Sequence, residues 1–254
     1  MKIFNAILIS WKILRLIVHL LNGLILAILF LRKGIHDAPL PEKLFIWWNR
    51  AACRIFKAHI QTKGVLSNEP TLYVMNHISW FDIPALASQK PLHFLSKAEV
   101  RSWPLIGWLA HKTGTLFIQR GAQGAAQKSL EEISHCLQSG GSVVIFPEGT
   151  TTDGSHVRKF HGRLLQAAID AKVKIQPVAL RYPYGDDINP YVPYVGNMSF
   201  ADSVFGLTRS KPLNIELHFL DPIDTHLTNP DETSRQELAK LARHAIARQL
   251  NLSH

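Results

Sequence analysis

Three short polar clusters in this chain combine residue types that do chemistry, and each follows an apolar run. The first is Asn76-His77-Ile78-Ser79-Trp80-Phe81-Asp82, directly after Thr71–Met75. A turn or first helical turn after that run lets His77 and Asp82 project from one end of it. A carboxylate beside an imidazole raises its basicity, fixes its tautomer and leaves the other ring nitrogen free to take a proton. The pair therefore suits activation of a hydroxyl. Ser79 lies outside a G-x-S-x-G elbow, which argues against a covalent serine nucleophile. The second cluster is Phe146-Pro147-Glu148-Gly149-Thr150, where a glutamate and a glycine leave an apolar strand in a way that suits a polar headgroup. Beyond it, Arg158, Lys159, His161 and Arg163 bring positive charge near a helix start, which suits phosphate. The third is Gly114–Arg120, with Arg120 at a strand end, placed to clamp a phosphate through two hydrogen bonds.

The elements that must position these clusters read as α/β. Strands are expected at 71–75, 92–96, 114–120, 142–146, 173–182 and 213–223. Helices are expected at 123–138, 162–171 and 231–249, with a short helical piece around 98–102. Pro177 inside its strand argues for a sheet edge, a bulge or a strand end. The Pro/Tyr/Gly-rich stretch 181–199 reads as a loop over the sheet's edge. Alternation of strands and helices favours a mixed, mostly parallel sheet flanked by helices.

Composition narrows the function classes. The 254 residues are 46 % hydrophobic and 19 % charged, which excludes a disordered, collagenous or long coiled-coil chain. Two cysteines, Cys53 and Cys136, cannot make a disulfide framework or a cysteine-based zinc site, and no metal-ligand spacing is present. The net charge of +9 is concentrated in residues 1–120, where 15 Lys/Arg stand against 5 Asp/Glu. Many of those cations border apolar N-terminal elements, so an anionic lipid surface is expected as partner and nucleic acid is not.

Residues Ile13–Leu31 are apolar except for Arg15, His19, Asn22 and Gly23, close to the roughly 20 residues a membrane-crossing helix needs. Arg32 and Lys33 follow at headgroup position, and no small-residue cleavage site precedes them. Residues 42–58 set Trp47 and Trp48 among Lys43, Arg50, Arg54 and Lys57, a pattern for the membrane interface or for packing on the protein's own core. The stretch Trp103–Leu109 reads as a buried turn or a loop dipping into the membrane. The expected organisation is an anchoring segment over 1–60 and a catalytic domain over 61–254. An inner-membrane location is expected, with the basic residues beside the apolar stretch putting that domain on the cytoplasmic side.

In this order the clusters resemble the glycerolipid acyltransferase family that includes the 1-acylglycerol-3-phosphate acyltransferases. The matching blocks are Asn76–Asp82 (N-H-x-S-x-x-D), Gly114–Arg120 (G-x-x-F-I-x-R), Phe146–Thr150 (F-P-E-G-T) and Val173–Val178, within residues 65–185. The resemblance implies that His77 is the general base and Asp82 its partner. It implies that Arg120 holds the acceptor's phosphate, with Glu148, Gly149 and Thr150 shaping the acceptor site and no bound cofactor. The acyl donor would be acyl-CoA or acyl carrier protein and the acceptor a lysophospholipid, foremost 1-acylglycerol 3-phosphate. His161-Gly162 stands where the family has a basic residue before glycine. That departure keeps glycerol 3-phosphate and lyso-ornithine lipid open as acceptors, beside a non-catalytic lipid-binding protein.

Overall fold

A computed structural model of the chain describes residues 2–31, 39–119, 124–210, 213–225 and 232–252. It opens with two helices, α1 (Lys2–Phe30) and α2 (Pro39–Ile55), then β1 (Ala58–Lys63) and β2 (Thr71–Met75). Next come α3 (Asp82–Ala87), β3 (His93–Lys97), a 3₁₀ turn at Ala98–Ser102, α4 (Ile106–Lys112) and β4 (Leu116–Ile118). The chain continues through α5 (Ala125–Gln138), β5 (Val143–Ile145), α6 (Gln166–Asp170), β6 (Lys174–Arg181) and a small hairpin of β7 (Pro183–Tyr184) and β8 (Asp187–Ile188). It closes with α7 (Phe200–Arg209), β9 (Leu213–Phe219) and α8 (Glu232–Gln249).

Seven strands form one sheet in the order β1-β9-β6-β2-β5-β3-β4. Strands β6, β2, β5, β3 and β4 run parallel, whereas β9 is antiparallel to β6 and carries β1 parallel to itself. The sheet is therefore mixed and largely parallel, as expected. Its central strand β2 is buried throughout, so both faces must be apolar. Tyr73 and Met75 join Phe56, Phe81 and Leu86 in the core under α2 and α3. Leu72 and Val74 face the other way, onto Ile133, Ile145 and Ile246 beneath α5 and α8.

Several elements depart from the sequence expectations, each for a local reason. The 42–58 helix stops at Ile55 because Lys57 takes a left-handed φ of 53° and the chain enters β1. Ala52, Cys53 and Ile55 of α2, with Phe56 just after it, are buried in the core, so this end of α2 packs on the protein itself. Pro177 sits in an inner strand, not at an edge. Between the Val178–Phe219 pair and the Ile175–Ile223 bridge, the chain after β9 carries one residue more than β6. Pro177 falls in that bulge, where its missing N–H is not required and its carbonyl accepts from Leu220 N at 3.0 Å. The 181–199 segment does not skirt the sheet's edge. Because β6 is an inner strand, the chain leaving it folds across the strands' carboxyl ends, where Tyr194 N donates to Ile78 O at 2.9 Å. The helix expected at 162–171 is a 3₁₀ turn at Gly162–Leu165 followed by α6.

Residues Ile7–Phe30 of α1 form an apolar helix of 24 residues. At about 1.5 Å per residue it is long enough to cross a bilayer core of about 30 Å. One seam, with His19, Gly23 and Ala27 buried, faces α2, while Leu14, Val18, Leu21, Ile25 and Ile28 are exposed. His19 stacks on Trp48 with centroids 4.3 Å apart, and Trp48 Nε1 donates to His19 O at 3.2 Å. Gly23 makes room for that indole: a Cβ there would lie 2.7 Å from Trp48 Nε1. Gly23→Ala should therefore overpack the α1–α2 seam by about 1–3 kcal/mol. Thermal unfolding in detergent should show a midpoint lowered by about 2–4 °C per kcal/mol lost. An unchanged midpoint with unchanged tryptophan emission would mean that α1 does not rest on Trp48.

Candidate active site

The site lies at the carboxyl ends of β2, β5 and β3, where α/β sheets place their ligands. Asn76 ends β2 and fastens it to β6: its Nδ2 donates to Leu180 O at 2.9 Å and its Oδ1 accepts from Leu180 N at 2.8 Å. The next residue, His77, is thereby set at a fixed height above the sheet. Its Nδ1 lies 2.7 Å from Asp82 Oδ2, and its side chain is 19 % exposed against 0 % for Asp82. The ring stacks on Phe146, centroids 3.8 Å apart, which fixes its plane.

Asp82 opens α3 and accepts from every direction. Its Oδ2 also takes Ile78 N at 2.8 Å and Ser79 N at 3.0 Å, and its Oδ1 takes the Tyr182 hydroxyl at 2.7 Å. A carboxylate so supplied holds the proton on His77 Nδ1 and leaves Nε2 as the basic nitrogen. Ser79 contributes its backbone only. Its Oγ is buried without a hydrogen-bond partner among the described residues, out of reach of substrate.

Glu148 has a geometry its sequence position does not reveal. The side chain is buried, with Oε1 accepting from His77 N at 2.8 Å and Oε2 from Arg158 N at 2.9 Å. Burial raises its pKa, and the two backbone N–H donors partly oppose that rise. Glu148 therefore ties the catalytic turn to the basic loop and has no oxygen without a donor. Gly149, at φ +73°, turns the chain beside His161, whose Cδ2 would be 3.7 Å from a Cβ at that position. Thr150 is exposed next to it. Arg158, Lys159, His161 and Arg163 present exposed side chains around this turn, and Arg243 of α8 holds the loop through Val157 O and Arg158 O. Arg120 lies outside the described residues; its strand β4 ends at Ile118.

A single cavity of about 1320 Å³ joins these parts. At one end it is walled by Leu20, Gly23 and Ala27 of α1, Trp48 of α2 and Trp103 and Ile106. At the other it reaches His77, Glu148–Thr151 and the cations Arg158, Lys159 and Arg163. The Trp103–Leu109 stretch thus borders the cavity, with Leu109 buried and Leu105 and Trp108 exposed. Among the described residues no cluster of His, Cys, Asp and Glu could hold a metal ion. The contributions of Phe146 and Tyr182 escape a sequence reading. Phe146 belongs to the F-P-E-G-T block, but nothing in its type or spacing marks it as the stacking partner of His77, and Tyr182 lies a hundred residues from its partner.

A His–Asp pair with its carboxylate buried, at one end of a largely apolar cavity on a mixed α/β sheet, suits a class of enzyme that activates a hydroxyl of an amphipathic substrate. Comparisons with known proteins give that class its chemistry. An acyltransferase family model matches residues 57–181. A lyso-ornithine lipid O-acyltransferase of Pseudomonas aeruginosa is 39 % identical over 213 residues, covering 84 % of this chain and 80 % of that one. A 1-acyl-sn-glycerol-3-phosphate acyltransferase of Neisseria meningitidis is 32 % identical over 149 residues, covering 59 % of this chain and 58 % of that one. The crystal structure of a 1-acyl-sn-glycerophosphate acyltransferase from Thermotoga maritima superposes with a TM-score of 0.71 at 20 % identity, over 98 % of this chain and 96 % of that one, a likeness of fold. The chain belongs to the acyltransferase family of these lipid-modifying enzymes and is an O-acyltransferase that acts on a lipid hydroxyl.

Glu148 yields a test of this geometry. Because burial raises its pKa, the folded state binds its proton more tightly than the unfolded chain does. That contribution is fully present below the ordinary carboxyl range and is lost as pH rises through the raised value. Wild type should therefore lose stability relative to Glu148→Gln as pH rises through that window in paired unfolding curves. Parallel curves would contradict a desolvated carboxyl. The variant should also lose activity by about 10- to 100-fold, since an amide NH₂ facing one backbone N–H displaces the catalytic turn.

Proposed function

We propose that this enzyme transfers a fatty acyl group from an acyl thioester, acyl-CoA or acyl carrier protein, to the free hydroxyl of a lyso-ornithine lipid. The observation that carries the acceptor is the extent of the match to the Pseudomonas lyso-ornithine lipid enzyme. It runs over most of both chains, whereas the match to the Neisseria glycerophosphate enzyme is confined to little more than half of each. Lyso-ornithine lipid O-acyltransferases of Brucella abortus and Rhodobacter capsulatus match over 76 % and 87 % of this chain, which supports the same reading. 1-Acylglycerol 3-phosphate, the acceptor expected from the family resemblance, takes second place. The ornithine headgroup carries a carboxylate, and the exposed cations of Arg158, Lys159 and Arg163 suit it.

In this reading the lipid hydroxyl approaches His77 Nε2, which removes its proton as the oxygen attacks the thioester carbonyl. The O–C bond forms, the C–S bond breaks, and the proton held by His77 passes to the departing thiolate. Asp82 keeps the ring in its tautomer and stabilises the imidazolium. Chain and headgroup are held in one cavity, so positioning lowers much of the barrier and no acyl-enzyme is needed. Arg120 keeps the acceptor-binding role that the family resemblance implies, and Gly149 and Thr150, which line the cavity, help to shape the acceptor site. Residues 1–60 form the anchoring unit, with α1 in the inner membrane and the catalytic domain on the cytoplasmic side, a reading supported by the apolar length of α1.

Purified membranes given labelled acyl thioester and a panel of lysolipids should acylate lyso-ornithine lipid at least ten times faster than 1-acylglycerol 3-phosphate; the reverse preference would overturn the acceptor. Removing a general base costs typically about 10²–10⁴-fold in rate. His77→Ala should lose that much while still sedimenting with membranes, and full activity in it would end the base assignment. Arg120→Ala should chiefly raise the acceptor KM, and an unchanged KM would remove Arg120 from the acceptor site.

A further inference from the structure

The Asp82 carboxylate has a partner that none of the motif blocks includes. Tyr182 follows β6 at the corner leading into β7, is 1 % exposed, and donates its hydroxyl to Asp82 Oδ1 at 2.7 Å. Oδ2 already serves three donors: His77 Nδ1, Ile78 N and Ser79 N. Oδ1 has Tyr182 alone among the described residues. The phenol ring packs in the same apolar cluster as Phe81 and Leu86. We infer that Tyr182 is a positioning residue for acyl transfer, fixing the Asp82 carboxylate and setting how strongly it draws the proton of His77.

The argument rests on His77 as the base. A charge-assisted hydrogen bond to one carboxylate oxygen spreads the charge that the other oxygen offers to the imidazole. With the phenol present, Asp82 draws less on the Nδ1 proton of His77 than it would with Oδ1 free. Deleting the phenol should therefore strengthen the hold of Asp82 on the imidazolium form of the ring. The phenol can perform this role because it stays protonated: burial first, then the charge of Asp82, push its pKa well above the ordinary tyrosine range.

The other titratable groups facing the pair do not replace it. Glu148, after β5, meets the backbone of His77 and not its ring. Arg158, Lys159, His161 and Arg163 line the cavity with exposed side chains. His156 on the same loop is also exposed. Cys53 of α2, near Tyr182, is held as a thiol by burial, its pKa pushed up to about 12.

The test is Tyr182→Phe, which keeps the ring and deletes the donor, assayed as the full chain in detergent or membranes. The acid limb of kcat/KM against pH should move up by roughly half a unit to one unit, with kcat at neutral pH falling on the order of tenfold and the acceptor KM unchanged. The His77 ring titration, followed by NMR, should move by the same amount in the same direction. A site-specific fluorotyrosine at 182, a stronger donor of nearly the same size, should move both in the opposite direction. It serves equally if the phenylalanine variant fails to fold. An NMR titration that stays in place in both variants overturns the proposal. A ring titration that moves while the rate limb stays put overturns His77 as base, and the positioning role with it. In an Asp82→Asn background, Tyr182→Phe should cost no further activity, and a full additional loss would show that the phenol acts elsewhere.

Discussion

The buried charge on Asp82 is the constraint around which the site is built. A carboxylate fully removed from solvent is strongly destabilising unless nearly every lone pair meets a donor. Here four donors arrive from two parts of the chain: the His77–Ser79 turn supplies a ring nitrogen and two amides, and the end of β6 delivers the phenol of Tyr182. The same requirement explains the doubled hydrogen bond between Asn76 and Leu180, which locks the end of β2 to the end of β6. It explains the stack of Phe146 on His77 as well, since an imidazole aimed by a fixed carboxylate needs a wall on its face. Site geometry and core packing are thus one problem in this protein, because the donors that neutralise the charge also aim the imidazole.

Glu148 extends that logic outward. Its two oxygens join the backbone of the catalytic turn to the backbone of the loop bearing Arg158 and Lys159. Arg243, from the last helix, fixes the far side of the same loop. The backbone that carries the cations at the cavity mouth is therefore held at a set distance from His77 by buried hydrogen bonds, while their side chains stay exposed, a placement that suits a headgroup carboxylate or phosphate. A rim of this kind binds charge by position without committing a buried countercharge to it.

Much of this was legible in the residues, and what was not has identifiable causes. His77 and Asp82 carry their meaning in type and spacing, because five residues suffice to close a turn at a strand end. Glu148 announced a site but not its task, since a carboxylate reads the same whether it faces ligand or backbone. Tyr182 was invisible: it ends an ordinary apolar strand, and only the placement of β6 beside β2 brings it to Asp82. Strand β1 was missed because Ala58–Lys63 is mostly exposed and lacks a clear apolar face. Helix α7 was missed although Ser199 and Asp202 mark its start, with Ser199 Oγ accepting from Asp202 N at 3.1 Å. The surrounding prolines and tyrosines masked that signal.

The polar interruptions of the first helix have a structural meaning that hydropathy alone obscures. His19 and Gly23 are four residues apart, one turn of helix, and both face Trp48. They form a seam against the enzyme, while Val18, Leu21 and Ile25 point away, exposed. One helix therefore presents a lipid-compatible face outward and one wall of the cavity inward, and the same cavity ends at His77. An amphipathic substrate needs this continuity. Its chain would lose about 0.8 kcal/mol of hydrophobic stabilisation for every methylene drawn into water. A wall shared between bilayer and cavity lets the chain stay in apolar surroundings throughout. Only the headgroup and the reacting hydroxyl then exchange their environment for the cationic rim and the imidazole.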